Sequence, residues 1–228
     1  MLILLTSILL VCSTVSIAQQ DSTVQDSIIK SKYGLRIGID LFNPAAAIFD
    51  DRRSGLELVA DYRISKKWYV AAELGYLENN SDLDNIDFTT TGQYIKMGAD
   101  YNAYENWLDM ENAIYIGARY GFSTFNHKVN SGIINADPIF GEQSISLPQE
   151  FDGLNAHWAE LIIGIKAELF NNFYLGFSFS GKKMITTKEA DNFKNLFVPG
   201  FNRVFLNNSG FGFNYTMSYL IPLYKKAK

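Results

Sequence analysis

The two histidines of this chain, His127 and His157, are the side chains best suited to move protons near neutral pH. They flank one long polar stretch, with Ser131, Asp137 and Glu160 in the same region. A serine, a histidine and a carboxylate brought together make an acyl-transfer site, so a lipid- or lipopolysaccharide-modifying enzyme at a loop rim is one chemistry these residue types could support. The spacing does not single out a nucleophile, because no Gly-x-Ser-x-Gly elbow surrounds Ser131. As a metal pair the histidines lack a third close ligand. Asp82, Asp84 and Asp87 in NNSDLDNID suggest a weak calcium loop, but the glycine and closing glutamate of an EF-hand are missing. The expectation is therefore no catalytic, cofactor-binding or metal position and no cofactor, and the balance is against an enzyme.

A second set of charges is far more regular. Arg36, Asp40, Glu57, Asp61, Arg63, Glu73, Lys96, Asp100, Arg119, Glu160, Lys166, Glu168 and Lys182 fall on alternate positions of extended segments. Seven acids and six bases can neutralise one another, so they are expected to form an interior ion network. Long side chains need room, and glycines recur on the same face: Gly38, Gly75, Gly98, Gly117, Gly164, Gly176 and Gly212.

The elements that must position them have a period of two. In KYGLRIGIDLF the apolar set is Tyr33, Leu35, Ile37, Ile39 and Leu41, against Arg36 and Asp40. GLELVADYRI, WYVAAELGYL, QYIKMGADY, AIYIGARYGF, WAELIIGIKAEL, FYLGFSFSGKK and FGFNYTMSYLI repeat the pattern, giving eight strands of about ten residues, the length a tilted membrane-crossing strand needs. One face carries almost no charge; the other carries charges of both signs. Burying the second face in an oily pocket would cost several kcal/mol for each unpaired ion. The economical arrangement turns the apolar face to lipid and the charged face inward. The fold expected is all-β: an eight-stranded antiparallel transmembrane barrel of the outer-membrane kind. Its bore is wide enough only for side chains.

The connections alternate as well. SKK and FNN are short turns, with the stretch around NAYENWLDMEN as the third join on their side; NPAAAIFDDRR, ENNSDLDNID, residues 126–155 and residues 185–208 lie on the other side and are expected to be extracellular loops. Tyr33, Trp68, Tyr101, Trp107 and Phe173 at one end, and Phe42, Tyr76, Phe122 and Trp158 at the other, suit interfacial girdles. Pairing Ile64 with Trp68 and Leu169 with Phe173 keeps like faces together, and the second register sets Glu160 opposite Lys182.

Composition agrees. The mean hydropathy of -0.04 is too low for a bundle of membrane helices but suits half-apolar strands. A net charge of -4 without a basic patch excludes nucleic acid as a partner. MLILLTSILLVCSTVSIAQQ reads as a signal peptide cut after Ala18, which removes Cys12, the single cysteine. The expected divisions are signal peptide 1–18, polar segment 19–31, barrel 32–224 and basic tail 225–228, in a Gram-negative outer membrane.

The segments YRISKKWYVAAELGY, YIKMGADYNAYENWLDMENAIYIGARYGFSTF, AHWAELIIGIKAELFNN, DNFKNLFVPGFNRV and GFNYTMSYLIPLYKK resemble a family of small outer-membrane barrels of unknown function from the Bacteroides group of bacteria. The resemblance covers nearly all of the mature chain. It implies the eight-stranded barrel, similar to the barrel domain of outer-membrane protein A, with no periplasmic domain after the last strand, and it supplies no activity.

One loop departs from the polar pattern. DNFKNLFVPGFNRVF holds Phe193, Leu196, Phe197, Val198, Phe201 and Phe205, so it either folds over the mouth as a lid or meets a partner. The expected partners are outer-membrane lipid and lipopolysaccharide, or another outer-membrane or surface protein. The function expected is that of a closed, salt-bridged barrel with a structural or partner-binding role. A rim enzyme and a narrow gated channel are the alternatives.

Overall fold

A computed structural model describes residues 30–49, 52–83, 86–106, 111–134, 143–144, 148–189 and 194–227. The leader and Phe193 lie outside these. Alternating β-rich segments form β1 (Lys30–Asp40), β2 (Arg53–Arg63), β3 (Trp68–Leu83), β4 (Ile86–Asn102), β5 (Ala113–Ile134), β6 (Gln143–Ser144), β7 (Gln149–Phe170), β8 (Phe173–Thr187), β9 (Phe197–Val198), β10 (Asn202–Arg203) and β11 (Ser209–Ala227). Eight of them pair in the order β4-β3-β2-β1-β11-β8-β7-β5, and β4 pairs with β5 to close the ring. All pairings are antiparallel, and Glu160 stands opposite Lys182. The fold is an eight-stranded antiparallel barrel.

The outer surface carries an apolar belt: Ile37, Leu58, Val70, Met97, Ile116, Leu161, Ile163, Phe177, Phe213 and Tyr219 all point out and are exposed. An apolar ring of this extent is what hydrocarbon covers, which makes this a transmembrane barrel. The belt has a sharp upper edge. On β5, outward Ile114, Ile116, Ala118, Tyr120 and Phe122 give way to Thr124, Asn126, Lys128 and Asn130. Outward positions on β4 change likewise from Met97 and Ile95 to Gln93, Thr91 and Thr89.

Above that edge the inside changes too. Leu77, Phe88, Phe125, Val129, Leu154, Ala156, Trp158 and Met184 form one buried cluster with the inserted loop. The barrel is charged inside and oily outside at belt level, then oily inside and polar outside at the mouth. The upper tier is a water-soluble arrangement standing on a lipid-soluble one.

Several expectations are corrected by this geometry. The described residues of NNSDLDNID are ladder rather than loop: β3 and β4 run on to Leu83 and Ile86, with Asp82 opposite Asp87, while Asp84 and Asn85 lie outside the described residues. Much of 126–155 is likewise β5 and β7. The first connection holds helix α1 (Phe42–Phe49), with Pro44 in the first turn, where its missing N–H costs nothing. Lys225 and Lys226 are strand rather than tail, pairing with Lys32 and Ser31. A bulge between Tyr33 and Gly34 turns Tyr33 inward, where it is 3% exposed and stacks on Tyr224. Trp158 shares the inward parity of Glu160 and is fully buried, so neither ring belongs to a girdle. Phe170 rather than Leu169 pairs with Phe173 across a tight turn in which Asn172 takes φ 67°.

Candidate functional site

The belt-level bore holds one unbroken series of opposite charges. Arg36 Nε lies 3.1 Å from Asp61 Oδ1, and Asp61 Oδ2 lies 2.6 Å from Lys166 Nζ. Lys166 reaches Asp100 Oδ2 at 3.7 Å, and Asp100 Oδ1 takes Arg119 Nη1 at 2.7 Å. Arg119 Nε meets Glu73 Oε1 at 3.2 Å; Lys96 Nζ then bridges Glu73 at 2.5 Å and Glu57 at 3.1 Å. Eight charges alternate in sign and sum to zero. Pairing of this kind offsets the desolvation that each ion would otherwise suffer. Rings add to it: the Arg36 guanidinium sits 4.4 Å from the Tyr174 ring centroid, and Lys166 sits 4.7 Å from that of Tyr115.

The remaining charges of the inward set lie apart from this series. Arg63 pairs with Glu111 at 2.9 Å and Glu168 with Lys32 at 3.1 Å, both at the short-turn end. Glu111 and Lys32 carried no signal in the sequence, since both sit where the alternation gives out. Glu160 and Lys182 lie 3.9 Å apart beneath the mouth. Asp40 has no ion pair among the described residues; its carboxylate accepts from the backbone N–H of Phe42 and Tyr215, and so fixes the start of α1. A cavity of about 40 Å³ lies beside Arg36 and Lys166 at this level, enough for a few waters.

The aromatic loop closes the bore from above. β9 and β10 make a small hairpin around Pro199–Gly200, which drops into the mouth. Val198 and Phe201 are fully buried and Phe197 nearly so, whereas Leu196 and Phe205 remain on the outside. The Phe201 ring meets Trp158 edge-on at 5.9 Å. Gly200 has φ +80°, and a Cβ there would lie 2.6 Å from the Tyr94 ring, so the plug fits only with glycine at its tip. Polar ties hold it: Lys182 Nζ donates to Gly200 O (2.7 Å), Arg53 Nη2 to Asn202 Oδ1 (2.9 Å), and Asn195 Nδ2 to Thr187 Oγ1 (2.7 Å).

His127 joins these ties. It is inward, five positions above the belt edge, with Nδ1 2.8 Å from Thr90 Oγ1 and Nε2 3.1 Å from Asn195 Oδ1. Because Asn195 presents its oxygen, Nε2 carries the proton and Nδ1 accepts from the threonine hydroxyl. Burial holds the His127 pKa down to about 4. His157 lies on the other face of the wall, bonded to Tyr120 Oη at 2.8 Å and against the Phe122 ring. The two histidines therefore do not converge; Ser131 is exposed, Glu160 lies within the bore, and Asp137 is outside the described residues. No group of three or more metal-ligating side chains occurs among the described residues.

A model of a domain of unknown function (DUF6048) matches residues 1–226. The chain belongs to the DUF6048 family. Curated proteins give no match. Among solved structures, the DUF6048 chain is similar to Ail, the attachment invasion locus protein of Yersinia pestis. The identity is 10% and the TM-score 0.43, over 84% of this chain and 97% of that one. It is also similar to Neisserial surface protein A (NspA), at 13% identity and a TM-score of 0.42, again over 84% and 97%.

Proposed function

We propose that this chain is a closed outer-membrane barrel that presents its mouth tier to the cell exterior, with a structural or partner-binding role rather than a transport or catalytic one. The observation that carries this is the inversion at the belt edge: lipid-facing apolar residues end at Phe122, and a polar wall around an apolar core begins at Thr124. A tier of that kind is built to stand in water above a membrane. The neutral ion series crosses the belt-level bore and the plug is seated in its mouth, which argues against conduction. Outer-membrane lipid and lipopolysaccharide are the surroundings this belt fits, and another surface protein is the partner class the exposed rim suits. Two measurements test the reading. Folded protein in a planar bilayer should be silent; steady conductance would overturn closure. A cysteine introduced at Asn130 should react with a membrane-impermeant maleimide on intact cells, and labelling only after the outer membrane is broken would overturn the orientation.

A further inference from the structure

The chain has six arginines. Arg36, Arg63 and Arg119 are held in ion pairs inside the bore. Arg52 and Arg53, neighbours in the chain, and the distant Arg203 line a single cleft of about 340 Å³ at the mouth, beside the plug. Among the described lining residues Asp82 is the one acid beside three arginines, in a chain whose net charge is -4. Arg53 is set in place by Asn43 and Asn202, which accept from its Nε and Nη2 at 3.0 and 2.9 Å. Arg203 is exposed at the rim. In the same lining, Asn80 Oδ1 is buried and accepts no hydrogen bond.

We propose that this cleft binds a phosphorylated saccharide. Guanidinium groups match the geometry of a phosphate and gain charge-assisted hydrogen bonds to it. A sugar hydroxyl supplies the donor that Asn80 Oδ1 lacks, and burying that oxygen is costly without one. The volume lies at the small end of the range for ligand pockets, suited to one sugar unit with its phosphate rather than a chain of them. Two sources share this chemistry: the saccharide of a lipid in the same membrane, and a soluble glycan arriving from outside. The assignment rests on the reading above only for its source, since the cleft itself can be tested in detergent.

The test is calorimetric titration of the folded barrel with glucose 1-phosphate and, separately, with glucose. Saturable binding of the phosphate ester, weakened by salt and about tenfold tighter than glucose, is expected. Arg203→Gln, an exposed change away from the plug's ties, should weaken it about tenfold, and Arg52→Gln provides a second variant should the first fail to fold. Equal binding of glucose, no binding of the ester, or affinity unchanged in both variants would overturn the assignment. Displacement of the bound ester by rough lipopolysaccharide in nanodiscs supports the membrane source, and displacement by a soluble phosphorylated glycan alone supports the other. If neither displaces it, the cleft holds an adventitious ion only and the proposal falls. None of these results bears on conductance or surface labelling, so the two readings fail separately.

Discussion

Lys96 offers the sharpest trial of the alternating series, because it stands between two carboxylates next to the end of the line. Its side chain is 2% exposed, with Glu73 at 2.5 Å and Glu57 at 3.1 Å. At an effective dielectric of about 20 these contacts attract by roughly 7 and 5 kcal/mol before desolvation is subtracted. Lys96→Met takes the ion partner from Glu57 and leaves the series one negative charge in excess, while Glu73 keeps Arg119; breaking a buried pair in this way costs about 3–5 kcal/mol net. Adding Glu57→Gln removes the terminal charge as well. Arg36, Asp61, Lys166, Asp100, Arg119 and Glu73 then still alternate and still sum to zero. The double variant should therefore regain at least about 2 kcal/mol of the loss, even though it removes more charge. Urea titration of barrels folded into lipid vesicles, followed by tryptophan fluorescence, reads these differences directly. A double variant as unstable as the sum of its parts would refute charge balance as the organising rule of the bore.

Other outcomes follow from the mouth and the belt. Because the folded-state pKa of His127 is about 4, below the free value of about 6.5, its protonation favours the open or unfolded tier. The closed mouth should be unaffected above pH 6.5 and lose up to about 3 kcal/mol as the pH falls through that window. Hydrogen exchange of residues 194–205 should rise accordingly, and His127→Gln should abolish the dependence. Phe201→Ala removes a fully buried ring and should weaken seating of the plug by about 3 kcal/mol, seen as faster proteolysis between residues 188 and 208 while the strands stay intact. Leu161 is outward and 69% exposed, so Leu161→Arg would be nearly neutral in a water-soluble barrel but should cost about 2–4 kcal/mol in vesicles.

The belt-level barrel was legible because lipid outside and ions inside impose opposite chemistry on neighbouring residues, and a period of two records it directly. That record stops where the membrane does. In Asn79, Asn80, Ser81 and Asp82 neither face is apolar and each residue disfavours strands, yet β3 continues because β4 supplies a partner for every position. Tyr33 misled through a single bulge, which exchanges the two faces without any mark in the residue types. Trp158 misled in another way: aromatic residues near strand ends suit a girdle, but its parity with Glu160 already placed it inside. The aromatic loop was recognisable as unusual. Its seat was not, because the pocket that receives it is assembled from β3, β4, β5, β7 and β8, with members spread from Leu77 to Met184.

Consecutive members of the alternating series come from β1, β2, β7, β4, β5, β3, β4 and β2. During barrel assembly, a strand that docks two residues out of place still turns its oily side to lipid, so the membrane has no means of noticing the error. The charges would notice. A shift of two residues displaces each side chain by about 7 Å, enough to exchange a counterion for an empty site or a like charge. The ion series can thus serve as an error check, rejecting near-correct rings that hydrophobicity alone would accept.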